Sequence, residues 1–149
     1  MNFLRQLGSL SAVFFGFWIV SVMAHSGVEN EVVKARMMAM KEIGASMKYI
    51  GKVRRGSKTF DLQEIKEELE SIRYNASITP KLFEVYAMDP LSEAGTEIWE
   101  TFDDFKNKAV SLEKVAEKLL TTLENEGQLN DALMVLGSGC KSCHSKYRN

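Results

Sequence analysis

The sequence predicts an all-α fold, an antiparallel four-helix bundle with a long crossover between its second and third helices. Three observations carry that expectation. Apolar residues recur at spacings of three and four through four separate stretches, the period of a helix with one buried face. The only two prolines, Pro80 and Pro90, fall in one short stretch, so the remainder is free to be helical. No run alternates long enough to read as a strand.

The first residues stand apart from that bundle. Met1 to Gly8 carries Arg5 and no acid, an apolar run follows from Leu10 to Met23, and Val22-Met23-Ala24 ends it. This is the layout of a secretory leader, residues 1–24, cleaved after Ala24; the alternative is an uncleaved N-terminal anchor. Cleavage leaves a domain of residues 25–149 with 18 basic and 20 acidic side chains. Export to the periplasm follows, with no attachment to the membrane once the leader is gone. The absence of a basic surplus argues against nucleic acid as a partner.

Within the domain the first helix is expected from Asn30 to Arg54. Val33, Met37, Met40, Gly44, Met47 and Gly51 form its seam, and Gly56 stops it. The second begins at Asp61, an N-cap residue with Glu64 as capping-box partner, carries Leu62, Ile65, Leu69 and Ile72 on one face, and fades by Ser77. Residues 78–95 hold both prolines and read as the crossover, with Leu82, Phe83, Val85, Tyr86 and Met88 as partly buried anchors. The third helix is expected from Thr96, its cap, to Glu126. Its face runs from Trp99 through Phe102, Phe105, Leu112 and Ala116 to Leu123, and Gly127 ends it. The fourth runs from about Asn130 to the C-terminus with Leu133, Leu136, Cys140, Cys143 and Tyr147 on its seam. Four such helices in one domain of this length make a bundle.

The chemistry lies on the fourth helix. Cys140-Lys141-Ser142-Cys143-His144 is a C-x-x-C-H sequence, the signature of covalent haem attachment. Two thiols three residues apart can each take one of the two vinyl groups of haem, and the adjacent imidazole can ligate the iron. Positions i, i+3 and i+4 share one helical face, so all three bonds point the same way. Other readings of the pair are weaker. A disulfide here would close a loop too small to constrain the unfolded chain much. A thioredoxin-like pair needs a βαβ setting, and a structural zinc site needs four ligands. Export agrees with haem, because bacteria attach c-type haem outside the cytoplasm.

A C-x-x-C-H near the end of a four-helix chain resembles the class II cytochromes c, the cytochrome c′ family. The closing stretch Cys140 to Arg148 is very similar to that family's, and Thr79-Pro80-Lys81-Leu82-Phe83, Glu97-Ile98-Trp99, Arg36 and Ser46-Met47 are family-like. The resemblance implies one covalently bound haem c, attached through Cys140 and Cys143 with His144 as axial iron ligand. It also implies that the residue facing the other side of the haem lies four positions after Arg36 and seven before Met47, which is Met40. A methionine there resembles the low-spin, electron-carrying branch, in which the thioether closes the coordination sphere. An apolar residue there would leave the open position of a high-spin cytochrome c′ that binds NO or CO. Met37 as ligand, or no sixth ligand, are the alternatives to Met40, since methionine is also a common packing residue. Arg36, one turn before Met40, is a candidate for a haem propionate or simply a solvated arginine. These expectations make the chain a non-enzymatic one-electron carrier with an unidentified redox partner protein, and the resemblance also allows a homodimer.

Overall fold

The computed structural model describes residues 27–149, so the expected leader and its cleavage site lie outside the described residues. Five α-helices follow in order: α1 (Glu31–Arg54), α2 (Leu62–Leu82), the short α3 (Glu97–Glu100), α4 (Phe102–Thr122) and α5 (Leu129–Tyr147), with a 3₁₀ turn at Glu126–Gln128 before the last. The four long helices form the expected bundle. α2 packs between α1 and α4, α4 against α5, and α5 more lightly against α1. Among the described residues, the nearest thing to a strand is an isolated antiparallel bridge between Ala94 and Arg148.

The helix ends follow from local chemistry. The Asn30 side chain accepts from the Val32 and Val33 amides and starts α1. At the far end Gly56 takes φ +70°, its amide donates to Val53 O and the Ser57 amide to Lys52 O. This paired closure satisfies two free carbonyls and needs a left-handed residue. Asp61 caps α2 through the Gln63 and Glu64 amides. The expected capping box is not completed, because the Glu64 carboxylate accepts from the Tyr49 hydroxyl instead.

Two expected boundaries move. α2 does not fade at Ser77 but continues through Pro80 to Leu82. Pro80 stands in the last turn, so its missing N–H removes a single intrahelical bond close to where the helix ends, and the Thr79 hydroxyl donates back to Asn75 O at 2.7 Å. The crossover is therefore shorter than expected, from Phe83 to Thr96. The third helix is not continuous. Thr101 leaves the helical region at φ −130°, ψ 49° and separates α3 from α4. Its hydroxyl and carbonyl both meet the Tyr147 hydroxyl, so a contact with the chain's far end accounts for the break. Thr96 makes no side-chain cap. α4 ends at Thr122, ahead of Gly127, which lies in the 3₁₀ turn.

The main core joins all four long helices through Ile43, Ile50, Ile65, Leu69, Ile72, Leu112, Leu129 and Leu136. A second cluster of Phe83, Ile98, Phe105 and Tyr147 seals the end of the bundle where the crossover lies. Phe105 stacks against Phe83 at 4.9 Å and meets Tyr147 edge-on at 5.3 Å, geometries favoured by aromatic quadrupoles.

Candidate functional site

The most deeply buried face of α1 shares only Val33 and Gly51 with the seam read from the sequence. Val33, Arg36, Ala39, Ile43, Ser46, Ile50 and Val53 are its buried residues, together with Gly51. Met37, Met40, Gly44 and Met47 form a neighbouring stripe that faces a cavity of about 820 Å³. The volume lies within the usual range for cofactor sites. α5 contributes Cys140, Cys143 and His144 to the same cavity, and α4 contributes Lys108 and Leu112. The residues proposed from the motif and the methionine proposed from α1 thus come together, from different helices, around one space.

The donor set fits haem better than its rivals. Among the described residues, no three His, Cys, Asp or Glu side chains are grouped to hold a bare metal ion. Cys140 and Cys143 are free thiols, each half-buried. Burial pushes both above the ordinary thiol value, with Lys108 opposing it at Cys143. A redox-active pair needs the reverse, a thiol pulled down towards thiolate. His144 is exposed at the edge of the cavity. Burial lowers its pKa first, and the Arg148 charge lowers it further against an opposing pull from Glu93. The neutral imidazole so favoured is the form that ligates iron. The cavity walls also carry Gly44 and Gly137, where a Cβ would meet nothing within 4 Å. Glycine on both helices keeps that space open to a flat group.

Arg36 is buried to 3% exposure. Its Nε donates to Leu82 O at 2.9 Å, Nη1 to Ala87 O at 2.7 Å, and Nη2 to Val85 O. The guanidinium also lies over the Phe83 ring, 4.4 Å from its centroid. A guanidinium has five N–H bonds, so three are committed to the crossover and any contact with a propionate falls to the other two. Arg36 is not the solvated arginine that was its alternative. Arg148 pairs with Glu93, and Met38 is exposed, 42%.

Sequence reasoning missed the strap that closes the end of the cavity. The Gly95 amide donates to Tyr147 O and the Asn149 amide to Glu93 O, both at 2.9 Å. Tyr147, 3% exposed, donates its hydroxyl proton to Asp104 Oδ2 at 2.7 Å. These contacts join the crossover and α4 to the residues just after His144. No local pattern signals them, because each joins segments more than 40 residues apart.

The chain is similar to known proteins along most of its length. The family model described as Cytochrome C' matches residues 31–148. A cytochrome c-556 of Agrobacterium fabrum (strain C58) is 35% identical over 139 residues, covering 93% of this chain and 92% of its own. Another cytochrome c-556, from Agrobacterium tumefaciens (strain II Chrys), is 36% identical over 121 residues, 78% of this chain and 95% of its own. Among solved structures, cytochrome c′ from Rhodopseudomonas palustris superposes with a TM-score of 0.74 at 24% identity over 81% of this chain and 98% of that one, a likeness of fold. With the family pattern running from the first turn of α1 to Arg148, and relatives matching along most of the domain, this chain belongs to the cytochrome c′ family.

Proposed function

We propose that the protein is an exported, periplasmic one-electron carrier with one haem c, low-spin, held between His144 and Met40. The observation that carries the reading is that Met40 of α1 lines the same cavity as Cys140, Cys143 and His144 of α5. When bound, the haem supplies a one-electron iron couple, and His/Met ligation suits that couple to electron transfer. The protein's part is binding, orientation and a low dielectric. Cys140 and Cys143 anchor the group through thioether bonds. His144, a helical turn or less from both, is fixed in direction by the backbone of α5. Met40 is held by α1, whose adjoining face is locked into the core by Ile43 and Ile50. The chain's residues call for no acid–base step, so the protein is a carrier rather than a catalyst. A periplasmic location follows from the leader-like residues 1–24 and from where c-type haem is attached.

The test is optical. The full chain, produced with haem-attachment machinery, is expected to give low-spin ferric and ferrous spectra, a sulfur-to-iron charge-transfer band, and no response to carbon monoxide. A high-spin ferrous spectrum that shifts promptly with carbon monoxide would transfer the protein to the gas-binding branch.

A further inference from the structure

The crossover does not behave as a set of buried anchors. Phe83 is buried, but Val85, Tyr86, Met88 and Leu91 are 61%, 62%, 39% and 56% exposed. Four large apolar side chains within seven consecutive residues make an unusual surface for a soluble protein. The segment is nonetheless held firmly. Arg36 binds the carbonyls of Leu82, Val85 and Ala87 from beneath. Tyr86 rests on Trp99 at 4.7 Å, and the Trp99 indole N–H donates to Phe83 O at 2.8 Å.

The charge around this patch is predominantly acidic. Residues 82–105 contain seven acids and no lysine, arginine or histidine. Glu84, Glu93 and Asp104 are answered by Lys81, Arg148 and Lys146. Asp89, Glu97, Glu100 and Asp103 have no ion pair among the described residues. The same segment is also a wall of the cofactor cavity, since Phe83, Leu91 and Glu93 line it. A partner seated on its outer side is separated from the cavity by little more than this one stretch of chain.

We propose that the crossover face, centred on Val85, Tyr86 and Met88 and rimmed by Asp89, Glu97, Glu100 and Asp103, is the docking surface for a basic redox protein. The inference rests on the electron-carrier reading and names its partner's chemistry. An apolar centre supplies contact, and an acidic rim steers a basic partner and sets its orientation. In the encounter a ferrous holoprotein gives one electron to a ferric partner, and no bond forms or breaks.

The experiment uses the holoprotein and ferric mitochondrial cytochrome c, a strongly basic redox protein, as probe. Stopped-flow oxidation of the reduced holoprotein should be fast at low ionic strength and slow steeply as salt is added. Joint Asp89→Asn, Glu97→Gln, Glu100→Gln and Asp103→Asn substitution should slow it by about tenfold at low salt and flatten the salt dependence. Tyr86→Ser should slow it at high salt as well. Lys52→Gln with Lys118→Gln, removing exposed bases that do not line the cavity, should not slow it. Amide shifts of labelled wild-type protein titrated with the probe should concentrate in residues 84–103, a readout that needs no variant. A rate that is independent of salt or rises with it, an unaffected quadruple variant, or shifts clustered on α1 and α5 would each overturn the proposal. A high-spin protein that binds carbon monoxide defeats the carrier reading. A low-spin protein indifferent to carbon monoxide whose electron transfer ignores the crossover variants defeats the docking surface alone.

Discussion

Arg36 and Met40 sit one helical turn apart on α1 and do different work. Arg36 satisfies three crossover carbonyls while buried. Replacing it with methionine keeps the apolar stem but strands those acceptors, so Arg36→Met should destabilise the protein by about 3 kcal/mol in urea unfolding. Arg36→Lys should recover only part of that, because an ammonium cannot span the three acceptors as a planar fork does. Met40 borders the cavity without being in the tightly packed core. Met40→Ala should therefore leave urea stability changed far less than Arg36→Met, while converting the ferrous spectrum to high spin and creating a carbon monoxide response. A Met40→Ala protein still low-spin and unresponsive would show that another group, Met37 first among them, holds the sixth position.

At the level of elements, the junction of α3, α4 and α5 turns on one hydroxyl. Tyr147 reaches Asp104 and Thr101, and Lys146 reaches Asp104 Oδ2 at 3.0 Å. The Tyr147 hydroxyl, then Lys146, hold the Asp104 carboxyl below its ordinary value of 3.8. A depressed carboxyl stabilises the fold above its unfolded value and loses that contribution as pH falls through the lower, folded value. Asp104→Asn should therefore lower the urea midpoint at neutral pH, and the difference from wild type should close as the pH is taken below 3.8. A gap that stays constant with pH would show that the carboxylate charge plays no part. The same junction explains why α3 and α4 are two helices. A continuous apolar face from Trp99 to Leu123 reads as one element, and only the contact with Tyr147 pulls Thr101 out of line.

Across the whole molecule, packing is uneven. α2 is embraced by α1 and α4, whereas α1 and α5 touch sparingly on the side where the cavity lies. Ile65, Leu69 and Ile72 of α2 are fully buried. With Cys140 and Cys143 both changed to alanine, the chain should exchange its amide hydrogens slowest in α2 and α4 and faster in α1 and α5, since local opening follows local burial. In the holoprotein a group bridging α1 and α5 should raise protection in those two helices selectively. Uniform protection with and without the group would mean that the bundle closes fully by itself.

Periodicity, two prolines and one C-x-x-C-H determined the helical class and the order of the four long helices, and singled out Cys140, Cys143 and His144 as the candidate haem site, because each rests on local spacing. The Asn30, Gly56 and Asp61 ends were legible for the same reason. Three decisions were tertiary. Whether Met37, Met40, Gly44 and Met47 face the core or a cavity depends on where α5 stands. The true core stripe was masked by Arg36 and Ser46, polar residues whose burial makes sense only when their partners are known. The break at Thr101, the run of α2 through Pro80 and the outward turn of Val85 and Tyr86 depend on contacts between segments remote in sequence. A helical period records that one face is apolar; only the packed chain decides what that face meets.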